Sequence, residues 1–168
     1  MVQGQFRVSD RPEVEMTTIL GSCVAACLHD PVRGIGGMNH FLLPGEDPRS
    51  GQCVKYGAHS MEELINALLR AGAQRHRLEA RLFGGANVVQ GLQRIGDSNA
   101  AFAREFVRQE GFALRQTDLG GTSGQRVRFS PATGQARVER LNPMSTTLPA
   151  AQMRPERPQI RTGSVELF

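Results

Sequence analysis

Tryptophan is absent from this chain, tyrosine occurs once, and only Lys55 among the 20 basic residues is a lysine. With almost no aromatic rings to stack on bases, and with the arginines scattered among Glu and Asp, the composition argues against a nucleic-acid surface. The formal net charge of +4 then reads as a bias toward arginine. An acidic protein surface stays open as a partner class, because guanidinium groups pair well with carboxylates. Long apolar runs are also missing. No stretch approaches the ~20 residues of a membrane helix, and Met1-Val2-Gln3-Gly4-Gln5-Phe6-Arg7 has no apolar signal core, so a cytoplasmic protein without membrane insertion is expected. The three cysteines are an odd number with no disulfide framework, which suits a reducing compartment.

What is present suffices for one domain with a sizeable core in 168 residues,. Residues 5–8 predict an opening strand and residues 16–20 a second, which delivers Gly21-Ser22 as a bend. The apolar run from Cys23 to His29, the turn chemistry of Asp30-Pro31-Val32-Arg33-Gly34, and the stretch from Ile35 to Leu43 read as a hairpin,. Ser60-Met61-Glu62-Glu63 is a capping box. It predicts a helix starting at Ser60, with Met61, Leu64, Ile65, Leu68 and Leu69 as its apolar stripe and Gly72 as its end,. Leu78, Ala80 and Leu82 alternate with charged residues into a Gly84-Gly85 bend. A second helix is predicted from Ser98 or Asn99 to Gly111, and strands over 112–117, 126–129 and 135–141 follow. The fold class is therefore α+β, with stacked or mixed sheets flanked by helices. Residues 1–142 read as the single folded domain, and residues 143–168, with four of the nine prolines and no apolar periodicity, read as a disordered tail,. There is no internal repeat.

The hairpin carries the chemistry. A turn centred near Pro31-Val32 places opposite each other residues whose numbers sum to 63 or 64, which pairs Cys23 with His40 or Phe41; directly opposed β-carbons lie only ~5 Å apart. A thiol with pKa near ~8.5 is only a few per cent thiolate at neutral pH. An imidazole beside it changes that. His40 can take the Cys23 proton, give it to the leaving group of an acyl substrate, and then activate the water that cleaves the thioester. Backbone amides at the Gly21-Ser22-Cys23 bend are candidate oxyanion donors. Cys27 and Cys53 read as structural. Cys23, Cys27, His29 and His40 do not match the loop spacing of a structural zinc site, so neither metal nor cofactor is expected.

The segment Thr17-(x)3-Gly21-Ser22-Cys23-Val24-Ala25, followed by Asp30-Pro31, Gly36-Gly37-Met38-Asn39-His40 and Leu43-Pro44, closely resembles the CheD family of chemoreceptor glutamine deamidases. Gly84-Gly85-Ala86, Asp118-Leu119-Gly120-Gly121, Val127-Arg128-Phe129 and Thr133-Gly134 extend the resemblance over residues 6–141. It implies hydrolysis of selected glutamine amides on the cytoplasmic helices of chemoreceptors, with the protein near receptor arrays, and a CheC-type phosphatase as a further partner. It also implies that Thr17, six residues before the cysteine, orients the imidazole. Gly84, Gly85 and Asn39 are assigned to the substrate side. The chain departs from the pattern at Gly124-Gln125, where many members read Gly-Arg. Two other readings use the same residues: a binding module for receptors or a CheC-type phosphatase, and a receptor glutamyl methylesterase acting through the same thiol.

Overall fold

A computed structural model describes residues 1–43, 51–88 and 93–141, with backbone alone for 51–53, 93 and 94. Pro44, the side chain of Cys53 and the tail 143–168 lie outside the described residues. Eight strands and two long helices follow in the order β1 (Phe6–Ser9), β2 (Met16–Leu20), β3 (Val24–Asp30), β4 (Ile35–Asn39), α1 (Gly51–Arg70), β5 (Glu79–Gly84), α2 (Gln93–Glu110), β6 (Ala113–Leu119), β7 (Gln125–Ser130) and β8 (Gln135–Arg140). The α+β expectation holds. β1-β4-β3-β5-β6 make a five-stranded sheet, and β2-β7-β8 a three-stranded antiparallel one. Among the described residues only β5 and β6 pair in parallel, and the crossover such a pair requires is α2.

Burial explains why β3 reads as an unbroken apolar run instead of an alternation. One face of β3 packs Val24, Ala26 and Leu28 against Met61, Leu64, Ile65 and Leu68 of α1. The other packs Ala25 and Cys27 against Met16, Leu20, Val127 and Phe129 of the smaller sheet. β3 is thus the common wall of two apolar cores, and all seven of its residues are buried.

Helix α1 starts at Gly51, nine residues before the capping box predicted. Ser60 sits inside the helix, where its carbonyl and hydroxyl accept the Asn39 Nδ2. The turns ahead of Ser60 have packing of their own: a β-carbon at Gly57 would lie 2.6–2.7 Å from Phe102 and Leu43, and Ala58 packs against the larger core, so tertiary packing carries the helix past the Ser-x-x-Glu pattern. α2 likewise begins at Gln93, ahead of Ser98. Both helices stop where the sequence indicated, at Gly72 and Gly111 with positive φ. In each, the residue after the glycine donates to the carbonyl five positions back, Ala73 to Leu68 and Phe112 to Val107, as in a Schellman motif.

Candidate active site

The hairpin register differs from expectation by one residue. Cys27 pairs with Met38 and Leu28 with Gly37, and the same register carries Val24 opposite Phe41. Four residues rather than two or three form the turn, closed by the Gly34 amide on the Asp30 carbonyl and by the Asp30 carboxylate on the amides of Val32 and Arg33. Cys23 therefore does not face His40 squarely. His40 stands opposite Ala25, the next residue on the Cys23 face, so the two share a face as diagonal neighbours. The strand β4 also ends at Asn39 instead of Leu43. Asn39 Oδ1 takes the Ala26 amide, replacing a ladder bond, and its Nδ2 reaches α1. Asn39, expected on the substrate side, is fully buried and clamps the hairpin to the helix.

Cys23 occupies the bend between β2 and β3, where the chain leaves one sheet for the other, and its side chain is half-exposed. Three carbonyls fix the bend. Gly21 O accepts the Ala86 amide at 2.8 Å, Cys23 O the Gly85 amide at 2.7 Å, and Ser22 O the Asn99 Nδ2 at 2.9 Å. Asn99 Oδ1 in turn accepts the Leu43 amide at 2.8 Å, so one buried carboxamide joins the nucleophile bend to the segment after His40. With these carbonyls drawn away, the amides of Ser22 and Cys23 meet no backbone acceptor among the described residues. Gly84 and Gly85 form the other wall of this cradle and are buried beneath the bend, which moves them from substrate contact to support. At Gly84, with φ of 99°, a β-carbon would lie 2.2 Å from Cys23 O. Gln125, at the position where the family pattern departs, is fully buried. Its Oε1 accepts the Gly84 amide, and its Nε2 donates to Asp118, while Arg126 pairs with Glu139 at the surface.

His40 is buried, and the hydrogen bonds around it assign its tautomer. Nδ1 lies 2.9 Å from Thr18 Oγ1, and the Thr18 hydroxyl donates to Met1 O at 3.0 Å. The single hydroxyl proton is thereby used, so Nδ1 carries the ring proton and donates it to Thr18. Nε2 is left as a bare acceptor, buried and without a partner. The contact belongs to Thr18 and not to Thr17. Strand pleating sends Met16, Thr18 and Leu20 inward and Thr17 outward, opposite Arg128,, so the hydroxyl that meets the ring is that of Thr18, one residue on from the Thr17 to which the resemblance points. The inward Met16 and Leu20 were the signal in the sequence that could have found it.

Burial sets the electrostatics. Desolvation is the main cause holding His40 below the ordinary imidazole value, with the amino group of Met1 adding to it. The ring is therefore neutral at pH 7 and free to act as a base. Desolvation also raises the Cys23 thiol, against a smaller lowering by its own backbone amide. At rest the pair is thiol and imidazole, not an ion pair. Cys27 is fully buried and pushed far up by desolvation, which leaves it inert. His29 sits at the far end of β3, its Nε2 at 3.3 Å from Ala132 O, about 20 Å from Cys23 at ~3.3 Å per strand residue. Among the described residues no three His, Cys, Asp or Glu side chains gather as a metal site. No helix among them is long and apolar enough to cross a membrane.

A two-sheet α+β domain that presents a half-exposed thiol beside a neutral, hydroxyl-tethered imidazole has the makings of a cysteine-dependent acyl-transfer enzyme. The chain belongs to the CheD family, described as CheD chemotactic sensory transduction, whose profile matches residues 42–140. It is 58% identical over 139 residues, 83% of this chain and 79% of the other, to the "Probable chemoreceptor glutamine deamidase CheD" of Jannaschia sp. (strain CCS1). To the protein of the same name from Caulobacter vibrioides (strain NA1000 / CB15N) it is 49% identical over 100% of this chain and 91% of that one. Among solved structures, the Bacillus licheniformis hypothetical protein YfiH aligns with a TM-score of 0.43 at 17% identity, covering 70% of this chain and 50% of that one.

Proposed function

We propose that this chain is a chemoreceptor glutamine deamidase of bacterial chemotaxis, converting selected glutamine side chains on the cytoplasmic helices of receptors to glutamate and ammonia. The observation that carries the reading is the unpartnered Nε2 of His40, beside a half-exposed cysteine on the same strand face, in a chain so similar to proteins of that name. As a substrate carboxamide enters, Nε2 accepts the Cys23 proton and the thiolate adds to the amide carbon. The amides of Ser22 and Cys23 are the donors best placed for the oxyanion that forms. The imidazolium, steadied at Nδ1 by Thr18, gives its proton to the leaving nitrogen. Ammonia departs and a thioester remains. Water then adds with Nε2 as base, the C–S bond breaks, and glutamate and the thiol are released. A neutral hydroxyl fixes the ring but stabilises imidazolium less than a carboxylate would, which suits a slow modifying enzyme.

The protein works in the cytoplasm, where the receptor helices are. The test is mass spectrometry of a receptor cytoplasmic fragment incubated with the wild-type protein and with Cys23→Ala. Glutamine-to-glutamate conversion by the first and none by the second is expected. Conversion by a folded Cys23→Ala protein would falsify nucleophilic catalysis at this position, and removal of receptor methyl groups with glutamines untouched would favour the esterase reading.

A further inference from the structure

The Cys23 thiol lies against a glutamine of this same chain. Cys23 Sγ lies 3.8 Å from Gln3 Oε1, and the N-terminal arm that carries Gln3 is fastened on both sides of it. Met1 O accepts the Thr18 hydroxyl at 3.0 Å, Gly4 N donates to His40 O at 2.7 Å, and Gln5 O accepts the His40 amide at 3.0 Å. The arm is bonded to the same two residues, Thr18 and His40, that make up the base and its tether. We propose that Gln3 is an intramolecular substrate, deamidated to glutamate by Cys23.

The inference rests on the deamidase reading and extends it to a modification site within the enzyme. The distance fits attack as well as it fits a weak S–H···O contact. A sulfur about 3.3 Å from a carbonyl carbon, approaching at roughly 105° to a C=O bond of about 1.23 Å, lies about 3.8 Å from the oxygen. Anchoring on either side removes the encounter step, so the reaction is unimolecular and needs none of the contacts that recruit an external helix. The balance is that of the external reaction. The thiolate forms a C–S bond to Cδ, and the C–N bond breaks as the His40 proton goes to ammonia. Water then replaces sulfur, the thiol recovers its proton, and position 3 becomes a carboxylate. Each molecule does this once, and the product carboxylate repels the thiolate, so the finished reaction vacates the seat that Gln3 held.

The full chain is produced as wild type, Cys23→Ala and Cys23→Ser, folding is checked by thermal unfolding, and the peptide containing position 3 is sequenced by tandem mass spectrometry. A receptor cytoplasmic fragment is assayed in parallel. The expected result is glutamate at position 3 in essentially all wild-type molecules and glutamine in both variants. Wild-type protein that converts receptor glutamines but retains Gln3 as the amide overturns the inference and leaves the proposed function standing. Glutamate at position 3 only in the wild type, with the receptor fragment untouched, upholds the inference and removes the receptor as substrate. Glutamate at position 3 in all three proteins overturns the inference, because the thiol is then not needed.

Discussion

Replacing Thr18 by valine keeps the side-chain shape and deletes one oxygen, so its consequences can be worked through in advance. Thr18 and His40 are both buried, at 3% and 6% exposure. The substitution leaves the Nδ1 proton and Met1 O without their partner, and an unsatisfied buried group costs about 1–3 kcal/mol. For a protein of this size that lowers Tm by roughly 2–12 °C. The effect on rate depends on what changes between ground and transition state. The Nδ1–H to Oγ1 bond is neutral while Nε2 is bare and charge-assisted once Nε2 has taken the thiol proton. Such a bond strengthens from about 1 to about 2–2.5 kcal/mol, so losing it should cost about tenfold in kcat/KM, measured as ammonia release from a receptor fragment. The pH profile supplies a second readout. Burial already holds the His40 pKa below its ordinary value, so the acid limb lies below ~6.5. Loss of an acceptor for the charged ring moves it further toward acid in Thr18→Val. Thr17→Val, on the outward face, should change stability by less than ~0.5 kcal/mol and leave the rate alone. Equal losses from the two variants, or full activity of Thr18→Val, would refute the assignment of the tether.

Gly84→Ala combines a left-handed backbone with a β-carbon 2.2 Å from Cys23 O, and should destabilise by about 2–4 kcal/mol, read as a fall in Tm. An unchanged Tm would mean that the cradle yields easily. For the cysteines, burial raises the Cys23 thiol, so its alkylation by iodoacetamide in the resting protein should climb as pH rises past ~8.5. Cys27, fully buried, should react only after unfolding; a Cys27 rate comparable with that of Cys23 in the folded protein would contradict the described core.

Much of this was legible in the sequence, and the failures share a cause. β2 runs from Met16 to Leu20 as expected, the helix ends fall at Gly72 and Gly111, and the Cys23 and His40 strands form one hairpin. Local chemistry decides each of these. The register was missed by one residue because the Asp30 carboxylate, which also takes the Gln74 amide at 2.9 Å, holds a longer turn than the turn residues alone suggest. The family resemblance points to Thr17, but the pleat, visible in Met16 and Leu20, turns Thr18 inward. Asn39, Asn99 and Gln125 were beyond reach for a different reason. Each is a buried carboxamide whose partners lie far along the chain, and a single sequence does not reveal which polar residue will cap which distant backbone group.

The bend at Gly21-Ser22-Cys23 is where the chain steps between sheets, so the reacting groups have separate foundations. Thr18 stands on the three-stranded sheet, His40 just past the end of β4, an inner strand of the five-stranded one, and Cys23 on the step between them. Under the proposed mechanism the base comes from one sheet and its tether from the other, so the Nδ1–Oγ1 contact at 2.9 Å exists only where the two sheets dock.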